Sequence, residues 1–235
     1  MDILYTLAEN YEGEELRYSL RSLENIPHNN VFIVGGCPSW VKNVKYIPTK
    51  QTGTKYKNTT ANLTAACKDA RLSDDFIYFN DDFFILKPIK DTAEELNLFN
   101  GTCAHQIEIY RKNYKQLKPY MLGAVETCEF LRGLGVAEPK CYELHIPFIF
   151  NKEKFLQMLE LPAFNTINGL HAHKRTLYGN LHLTGGKHTL DVKYFLRDFF
   201  DARKYDKFLS CDDTGFGRVK TFLLSKFNKK SIYEV

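Results

Sequence analysis

Two adjacent aspartates follow a short apolar segment of β-prone residues. Asp81 and Asp82 come after residues 76–79, with Asn80 in between. Neighbouring carboxylates repel each other unless a cation offsets their charge, and hard divalent cations such as Mg²⁺ or Mn²⁺ favour oxygen ligands of this kind. Open α/β sheets bind ligands just beyond the carboxyl ends of their strands. The triplet 80–82 is therefore predicted to bind a metal or a substrate; a solvated loop or helix N-cap is the alternative.

A second acidic pair lies in the last quarter of the sequence. Asp212 and Asp213 precede Thr214 and the segment 215–217, which contains two glycines. Aspartate is a preferred residue at the start of a helix, where its side chain accepts a hydrogen bond from a free backbone N–H. On these residues alone, an N-cap for a final helix is favoured over a metal site.

Two single basic residues are further candidates. His145 precedes Ile-Pro in an apolar stretch, where a lone histidine is more often a core residue than a catalyst. Arg175 ends the basic run 171–175, which by itself is typical of a solvated face. His171 and His173 have the spacing of ligands on one side of a strand, but no third ligand is evident.

Phosphate-binding and nucleophile motifs of the common enzyme folds are missing from the sequence. The polar loop 52–54 is suited to phosphate contact because lysines frame it, namely Lys50, Lys55 and Lys57. It lacks the G-x-x-x-x-G-K order of a P-loop, and neither G-x-G-x-x-G nor G-x-S-x-G occurs. Dehydrogenase, P-loop kinase and α/β-hydrolase functions are therefore disfavoured.

These candidates must be positioned by elements that the apolar pattern predicts. Residues 2–7 form a first strand, a helix with Leu16, Leu20 and Leu23 on one face follows, and Pro27 ends it. Strands over 31–34 and 45–47 come next. This β, α, β, β order predicts a wound α/β sheet. The remaining predicted elements are a strand over 76–79 and helices over 58–72, 125–131, 152–159, 191–200 and 217–227, with an apolar segment over 146–150.

Composition indicates a folded chain, and its length fits one domain. Of the 235 residues, 44% are hydrophobic and 26% charged, which is ordinary for globular proteins. The net charge of +4 suits a phosphate-bearing ligand without demanding nucleic acid. The six cysteines form no C-x-x-C pair, so zinc ribbons and thioredoxin-type redox sites are excluded. With neither a membrane span nor a secretory signal in evidence, we expect a cytoplasmic protein.

Four blocks of the sequence resemble those of one known family. The blocks are DILYT at 2–6; ELRYSLRSLE at 15–24 with VFIV at 31–34 and FIYFNDD at 76–82; HIP at 145–147 with NKE at 151–153; and DD at 212–213 with FNKKSIYE at 227–234. The family is Stealth, the sugar-phosphate transferases of bacterial capsule synthesis and of the lysosomal-enzyme N-acetylglucosamine-1-phosphotransferase. Residues 7–10 replace the family's W-V-[DN]-G, and Asn151 and Cys211 also depart from it. The sequence therefore resembles a compact, divergent member.

The resemblance implies a glycosyltransferase-A-like α/β fold, with a wound mixed sheet flanked by helices in a single domain. That domain would span residues 1–235, with a donor-binding part over about 1–90 and an acceptor and catalytic part over about 91–235. The implied reaction moves sugar-1-phosphate from a nucleotide sugar to an acceptor hydroxyl, with Mg²⁺ or Mn²⁺ as cofactor.

Carried over position by position, the resemblance also implies site residues. Arg175 would clamp a phosphoryl oxygen and His145 would take the acceptor proton. The full set is Asp2, His145 and Arg175 as catalytic residues, Arg17, Arg21, Asn58 and Asn80 as donor-binding residues, and Asp81, Asp82, Asp212 and Asp213 as metal ligands.

Two other functions stay open. A true glycosyltransferase would keep the nucleotide-sugar pocket and transfer the sugar itself, for example a bacteriophage enzyme acting on DNA bases or on a bacterial glycan. A non-catalytic sugar- or nucleotide-binding module would lack the acidic pair or His145. Because the sequence has both, the binding module is the least favoured of the three.

Overall fold

The protein is described by a computed structural model that covers residues 1–162 and 172–235. These residues divide into two compact units. The first unit consists of Met1–Leu96, His145–Lys152 and Val192–Val235, and the second of Asn97–Leu144 and Glu153–Asp191. The prediction of one transferase domain divided near residue 90 is not tested by this partition and stays a prediction.

Strands and helices alternate through the first half of the chain. The strands in the described residues are β1 (Asp2–Thr6), β2 (Val31–Gly35), β3 (Lys45–Pro48), β4 (Asp75–Phe79), β5 (Phe83–Ile85), β6 (Leu98–Phe99), β7 (Phe148–Asn151), β8 (Lys187–His188), β9 (Lys193–Tyr194) and β10 (Phe208–Cys211). The α-helices are α1 (Glu15–Ser22), α2 (Lys55–Lys68), α3 (Thr92–Glu95), α4 (Cys103–Asn113), α5 (Pro119–Gly133), α6 (Lys152–Leu159), α7 (Lys174–His182) and α8 (Phe216–Lys226).

The central sheet of the first unit has the strand order β3-β2-β1-β4-β7. Strands β1 to β4 run parallel, whereas β7 is antiparallel to β4. The strands β1, β2 and β4 are almost wholly buried, as expected for continuous apolar segments covered on both faces. The parallel strands place their carboxyl ends at one edge, where Asn80 and the two following aspartates leave β4.

A second sheet of the first unit joins distant parts of the sequence. Its order is β5-β10-β9, with β10 antiparallel to β5 and parallel to β9. In this register Ser210 lies between Phe83 and Lys193. Because Asp82 directly precedes Phe83, the pairing brings Lys193 and Ser210 beside Asp82.

The second unit is mainly helical. Helices α4 and α5 pack through a small apolar cluster that includes Cys103, Ile107, Cys128 and Cys141. Strands β6 and β8 form a parallel pair, in which Leu98 lies opposite Lys187.

Most predicted elements are confirmed, one predicted helix is wrong, and several observed elements, among them β5, β10 and α4, were not predicted. The predicted helix over 191–200 is wrong: Lys193 and Tyr194 pair with β10, and Phe199 is 83% exposed, so the apolar residues do not share a buried helix face. Helix α4 was not predicted, because its apolar positions are few and interrupted by polar residues. No helix in residues 1–162 or 172–235 is both long and apolar enough to span a bilayer.

Candidate active site

Asp82 lies at the carboxyl edge of the sheet, where one lysine and one serine hydroxyl bind its carboxylate. Its Oδ2 atom accepts hydrogen bonds from the Lys193 ammonium at 3.2 Å and from the Ser210 hydroxyl at 3.0 Å. Its Oδ1 atom is buried and has no hydrogen-bond partner among the described residues. A buried carboxylate oxygen without a partner is costly, so this atom is available to a ligand.

Asp81 is held in an environment that opposes its charge. Burial, the neighbouring charge of Asp82 and the more distant charge of Glu15 raise the pKa of Asp81 to about 6, and the nearby Tyr11 hydroxyl offsets part of this rise. The Tyr11 hydroxyl is itself buried, and burial beside the charge of Asp81 raises its pKa. A bound cation would remove the electrostatic cost that raises this pKa.

Glu15 completes a group that we call the acidic cluster, formed by Glu15, Asp81, Asp82 and Asp213. Glu15 is the first residue of α1, and burial together with the charges of Asp213 and Asp82 raises its pKa. Neither Glu15 nor Lys193 was singled out from the sequence. The only local signal for Glu15 is its place in the first helical turn after β1, next to the strand ends where open sheets bind ligands.

The second acidic pair divides between two tasks. Asp212 Oδ1 accepts hydrogen bonds from the Thr214 hydroxyl at 2.8 Å and from the Gly215 backbone N–H at 2.7 Å, which closes the turn leading into α8. Asp212 therefore stabilises the turn before α8, a role close to the helix N-cap that the sequence favoured over a metal site. Asp213 is exposed, and its charge acts on Glu15. The metal-binding roles of Asp212 and Asp213 stay predictions.

His145 lies at the same edge as the acidic cluster. It precedes β7, in which Phe148 pairs with Tyr78 near the carboxyl end of β4. The half-buried imidazole meets the ring of Phe83 edge-on, with 6.5 Å between the centroids and 88° between the planes. Since Phe83 follows Asp82 directly, the antiparallel strand β7 has brought His145 to this edge.

Arg175 belongs to the second unit and is not part of a solvated face. Its side chain is buried, and its Nη1 atom donates to the backbone carbonyl of Leu144. The backbone N–H groups of Arg175 and Thr176 donate to Glu143 Oε1 at 3.1 and 3.2 Å, which anchors the first turn of α7. Burial lowers the pKa of the neighbouring Lys174 to about 8, although Glu143 opposes the shift.

Asp2 lies at the opposite end of the sheet. Its Oδ1 atom accepts hydrogen bonds from the backbone and side chain of Asn30 at 3.0 and 3.1 Å, and its Oδ2 atom accepts one from the Ser73 N–H at 2.8 Å. Burial would raise the pKa of Asp2, but these hydrogen bonds lower it. Asp2 thus ties together the amino ends of three strands, and the structure does not bring it to the acidic cluster.

Arg17 and Arg21 hold the C-terminal segment of the chain. Arg21 forms a bidentate pair with Glu234, with Nε to Oε1 at 2.7 Å and Nη2 to Oε2 at 2.8 Å. Arg17 Nη1 lies 3.2 Å from Glu234 Oε2, and its guanidinium stacks 3.9 Å above the Trp40 ring. Burial would raise the pKa of Glu234, but the arginines and the Ser231 N–H bring it to about 2. We call the group of Arg17, Arg21 and Glu234 the tail anchor. Both of its arginines already pair with Glu234.

The other predicted donor-binding residues lie apart from each other. Asn58 closes the loop before α2, because its Oδ1 accepts from the Gly53 N–H at 2.9 Å and its Nδ2 donates to the Gly53 carbonyl at 3.0 Å. Asn80 is half-buried beside the acidic cluster, and its carbonyl accepts from the Phe83 N–H at 3.3 Å.

Of the two histidines spaced as possible ligands, His173 has its Nε2 atom 2.9 Å from the Tyr120 carbonyl, whereas His171 lies outside the described residues.

Within the described chain, no three His, Cys, Asp or Glu side chains converge to chelate a metal. Mg²⁺ is usually held by one or two carboxylates together with substrate phosphates and water. Carboxylate oxygens are hard donors, and both aspartates match this chemistry: Asp82 has an unpartnered Oδ1 atom, and Asp81 has a raised pKa that a cation would lower. The acidic cluster therefore fits a cation whose coordination a phosphate-bearing donor would complete.

Comparison with known proteins assigns the fold. No protein-family model matches the chain, and no curated protein sequence matches it. The galactosyltransferase LgtC, crystallised with donor and acceptor sugar analogs, superposes with a TM-score of 0.52 at 11% identity over 99% of this chain and 98% of its own. An active-site mutant of LgtC gives a TM-score of 0.51 at 13% identity over the same shares. The predicted glycosyltransferase-A-like fold is confirmed, and at this identity the likeness concerns the fold alone.

Proposed function

We propose that this chain is a metal-dependent transferase that uses a nucleotide-sugar donor and an acceptor hydroxyl. The observation that carries the proposal is the acidic cluster at the carboxyl edge of a glycosyltransferase-like sheet, with one buried oxygen of Asp82 left without a partner among the described residues. A site built only for stability would pair that oxygen.

The chain's own residues have distinct tasks at this edge. Asp81 and Asp82 hold the cation, and Lys193 with Ser210 fixes the Asp82 carboxylate through its other oxygen. When bound, Mg²⁺ or Mn²⁺ neutralises the negative charge of the donor diphosphate. Glu15 and Asp213 add negative charge that favours a cation at this position.

His145 is the proposed base. One of its ring nitrogens accepts the proton of the acceptor hydroxyl while the hydroxyl oxygen forms the new bond to the donor. The imidazole and the ring of Phe83 lie edge to face, next to Asp82. Arg175 is proposed to bind a donor phosphate.

The family resemblance and the structural likeness favour the breaking of different bonds in the donor. The resemblance to Stealth favours attack at the phosphorus that bears the sugar, which breaks the diphosphate and releases a nucleoside monophosphate. The structural likeness to a galactosyltransferase favours attack at the anomeric carbon, which releases a nucleoside diphosphate. Hydroxyls of a bacterial glycan or of a modified DNA base are the proposed acceptors.

The released nucleotide tests the proposal directly. The purified chain is incubated with a panel of nucleotide sugars, Mg²⁺ or Mn²⁺, and both acceptor classes, and the nucleotide products are separated by chromatography. Monophosphate release identifies sugar-phosphate transfer, and diphosphate release identifies sugar transfer. Asp82→Asn should abolish either release, whereas the exposed Asp206→Asn serves as the matched control. Absence of both products with every donor would contradict the proposal.

A further inference from the structure

A groove of about 700 Å³ lies in the first unit, between the last turn of α1 and residues 226–233. We call it the tail groove. Its apolar lining comes from Leu20, Leu23, Phe227, Ile232 and Tyr233. Small-molecule sites in proteins are concave, mostly apolar, and about 300–1,000 Å³ in volume. The tail groove therefore has the size and lining of a small-molecule site.

The tail groove is distinct from the candidate active site. It includes His28 and Asn29, and the Asn29 N–H donates to the Met1 carbonyl at 3.0 Å, just before β1 begins. These residues lie at the amino ends of β1 and β2, whereas the acidic cluster lies at the carboxyl edge of the same sheet. The proposed donor site thus does not account for this groove.

Three lysines give the tail groove its charge. Lys226, Lys229 and Lys230 line it, and Glu24 is the carboxylate that faces them, because Glu234 is already paired with Arg21. The lining side chains therefore carry two positive charges in excess, and Lys230 Nζ already donates a hydrogen bond to the Val235 carbonyl oxygen at 2.8 Å. Within the described residues, none of the three lysines pairs with an Asp or Glu side chain, in contrast to Lys220 of α8, which lies 2.7 Å from Glu14.

We propose that the tail groove binds a phosphate monoester carried on an apolar or aromatic body. A phosphate monoester has about −1.5 to −2 charge at pH 7, which matches the excess of the lysines. Lysine ammonium groups bind phosphate as mobile point charges, so exposed lysines at the rim suit this ligand. The apolar lining then contacts the body that carries the phosphate. An extended polyanion would need a long basic stripe rather than a concave groove with an apolar lining.

Calorimetry on the full chain in EDTA tests this proposal, with phenyl phosphate and inorganic phosphate as probes. Without a divalent cation, the acidic cluster repels both probes. Phenyl phosphate should bind more tightly than inorganic phosphate because only it covers the apolar lining. Equal affinities would overturn the proposal, since surface charge alone would then explain the binding.

Matched variants locate the site. Lys229→Ala/Lys230→Ala should weaken phenyl phosphate binding by about tenfold or more, because two charge-assisted contacts are lost. Lys68→Ala/Lys90→Ala removes the same charge from exposed positions outside the groove and should leave affinity unchanged. An equal loss in both variants would refute a local site.

The His28 ring provides a structural readout of the same binding. Its Nε2 lies 2.7 Å from the Tyr233 hydroxyl, at the groove, whereas His145 lies at the other edge of the sheet. Phenyl phosphate should shift the imidazole resonances of His28 in NMR spectra. A shift of His145 without one of His28 would place the probe at the carboxyl edge and contradict the proposal.

Discussion

The two ends of α1 hold charge in opposite ways. At its first turn, Glu15 joins other carboxylates in the acidic cluster, where repulsion and burial raise its pKa. At its last turn, Arg21 pairs with the buried Glu234 of the tail anchor, whose pKa falls to about 2. The buried carboxylate of the tail anchor is paired with arginine, whereas in the acidic cluster Asp82 alone has a paired lysine among the described residues. Uncompensated charge costs stability, and proteins retain it where a ligand supplies the missing partner.

The largest expected effect is on catalysis at His145. His145→Ala should lower turnover by about 10²- to 10⁴-fold, the usual loss on removing a general base, and leave donor affinity nearly unchanged. Steady-state kinetics and calorimetric donor binding measure the two quantities. The exposed His105→Ala is the matched control. A lower melting temperature with a normal rate per folded molecule would instead make His145 a core residue.

At the tail anchor, we expect an effect on folding. Glu234→Ala leaves Arg21 and the partly exposed Arg17 without their carboxylate and should lower the free energy of unfolding by about 3 kcal/mol. Denaturant titration measures this loss. The folded-state pKa of about 2 lies below the ordinary 4.5, so the wild-type contribution is complete above pH 4.5 and is lost as pH falls towards 2.

The predicted donor-binding role of Arg21 is tested by measuring stability and donor affinity of the same variant. If Arg21 serves only the tail anchor, Arg21→Ala should destabilise the chain and leave donor affinity per folded molecule unchanged. If the folded variant instead bound the donor more weakly, Arg21 would belong to the donor site. The two ends of α1 would then both contribute to donor binding.

Arg175 lies in the second unit, outside both regions. If Arg175 binds a donor phosphate as proposed, its planar fork does so in a geometry that lysine cannot reproduce, so Arg175→Lys should slow transfer nearly as much as Arg175→Ala, by about 10- to 100-fold. Transfer rates at saturating donor, with melting temperatures recorded for both variants, measure this effect. A fully active lysine variant would refute the phosphate clamp.

The smallest expected effects are on the free energy of unfolding, and they have opposite signs for the two adjacent aspartates. Asp81→Asn removes a repelled charge and should raise stability at neutral pH, whereas Asp82→Asn leaves Lys193 without its partner and should lower it, each by about 1 kcal/mol. Both variants should weaken metal-dependent donor binding, as calorimetry with and without Mg²⁺ would show. Unchanged donor affinity in both would remove the acidic cluster from the proposed site.

The pH dependence of Asp81 follows the same logic. Its folded-state pKa of about 6 exceeds the ordinary 3.8, so the charged form opposes folding above pH 6, and this cost disappears as pH falls from 6 towards 3.8. Asp81→Asn should flatten the stability profile in that interval. The Glu234 contribution has the opposite sign, so one pH titration of the wild-type chain and both variants compares the acidic cluster with the tail anchor.

The sequence by itself determined the elements whose apolar residues are contiguous. Strands β1, β2 and β4 and the carboxyl-edge position of Asp81 and Asp82 follow from local pattern, because a buried parallel strand needs an unbroken apolar segment. The resemblance of short blocks also predicted the glycosyltransferase-A-like fold. Residues 191–200 show the limit of local pattern: their apolar residues resemble a helix face, but pairing with β10 takes Lys193 and Tyr194 into a strand.

Only the tertiary structure decided which charges meet. Lys193 reaches Asp82 across 111 residues and Glu234 reaches Arg21 across 213, and no spacing in the sequence indicates either pair. The family resemblance predicted Arg17 and Arg21 at the donor, and the structure pairs both with Glu234. It predicted Asp2 as a catalytic residue, and the structure places Asp2 at the amino end of its strand. Charge pairing depends on strand order and register, which are set by burial of the whole core rather than by the residues that carry the charge.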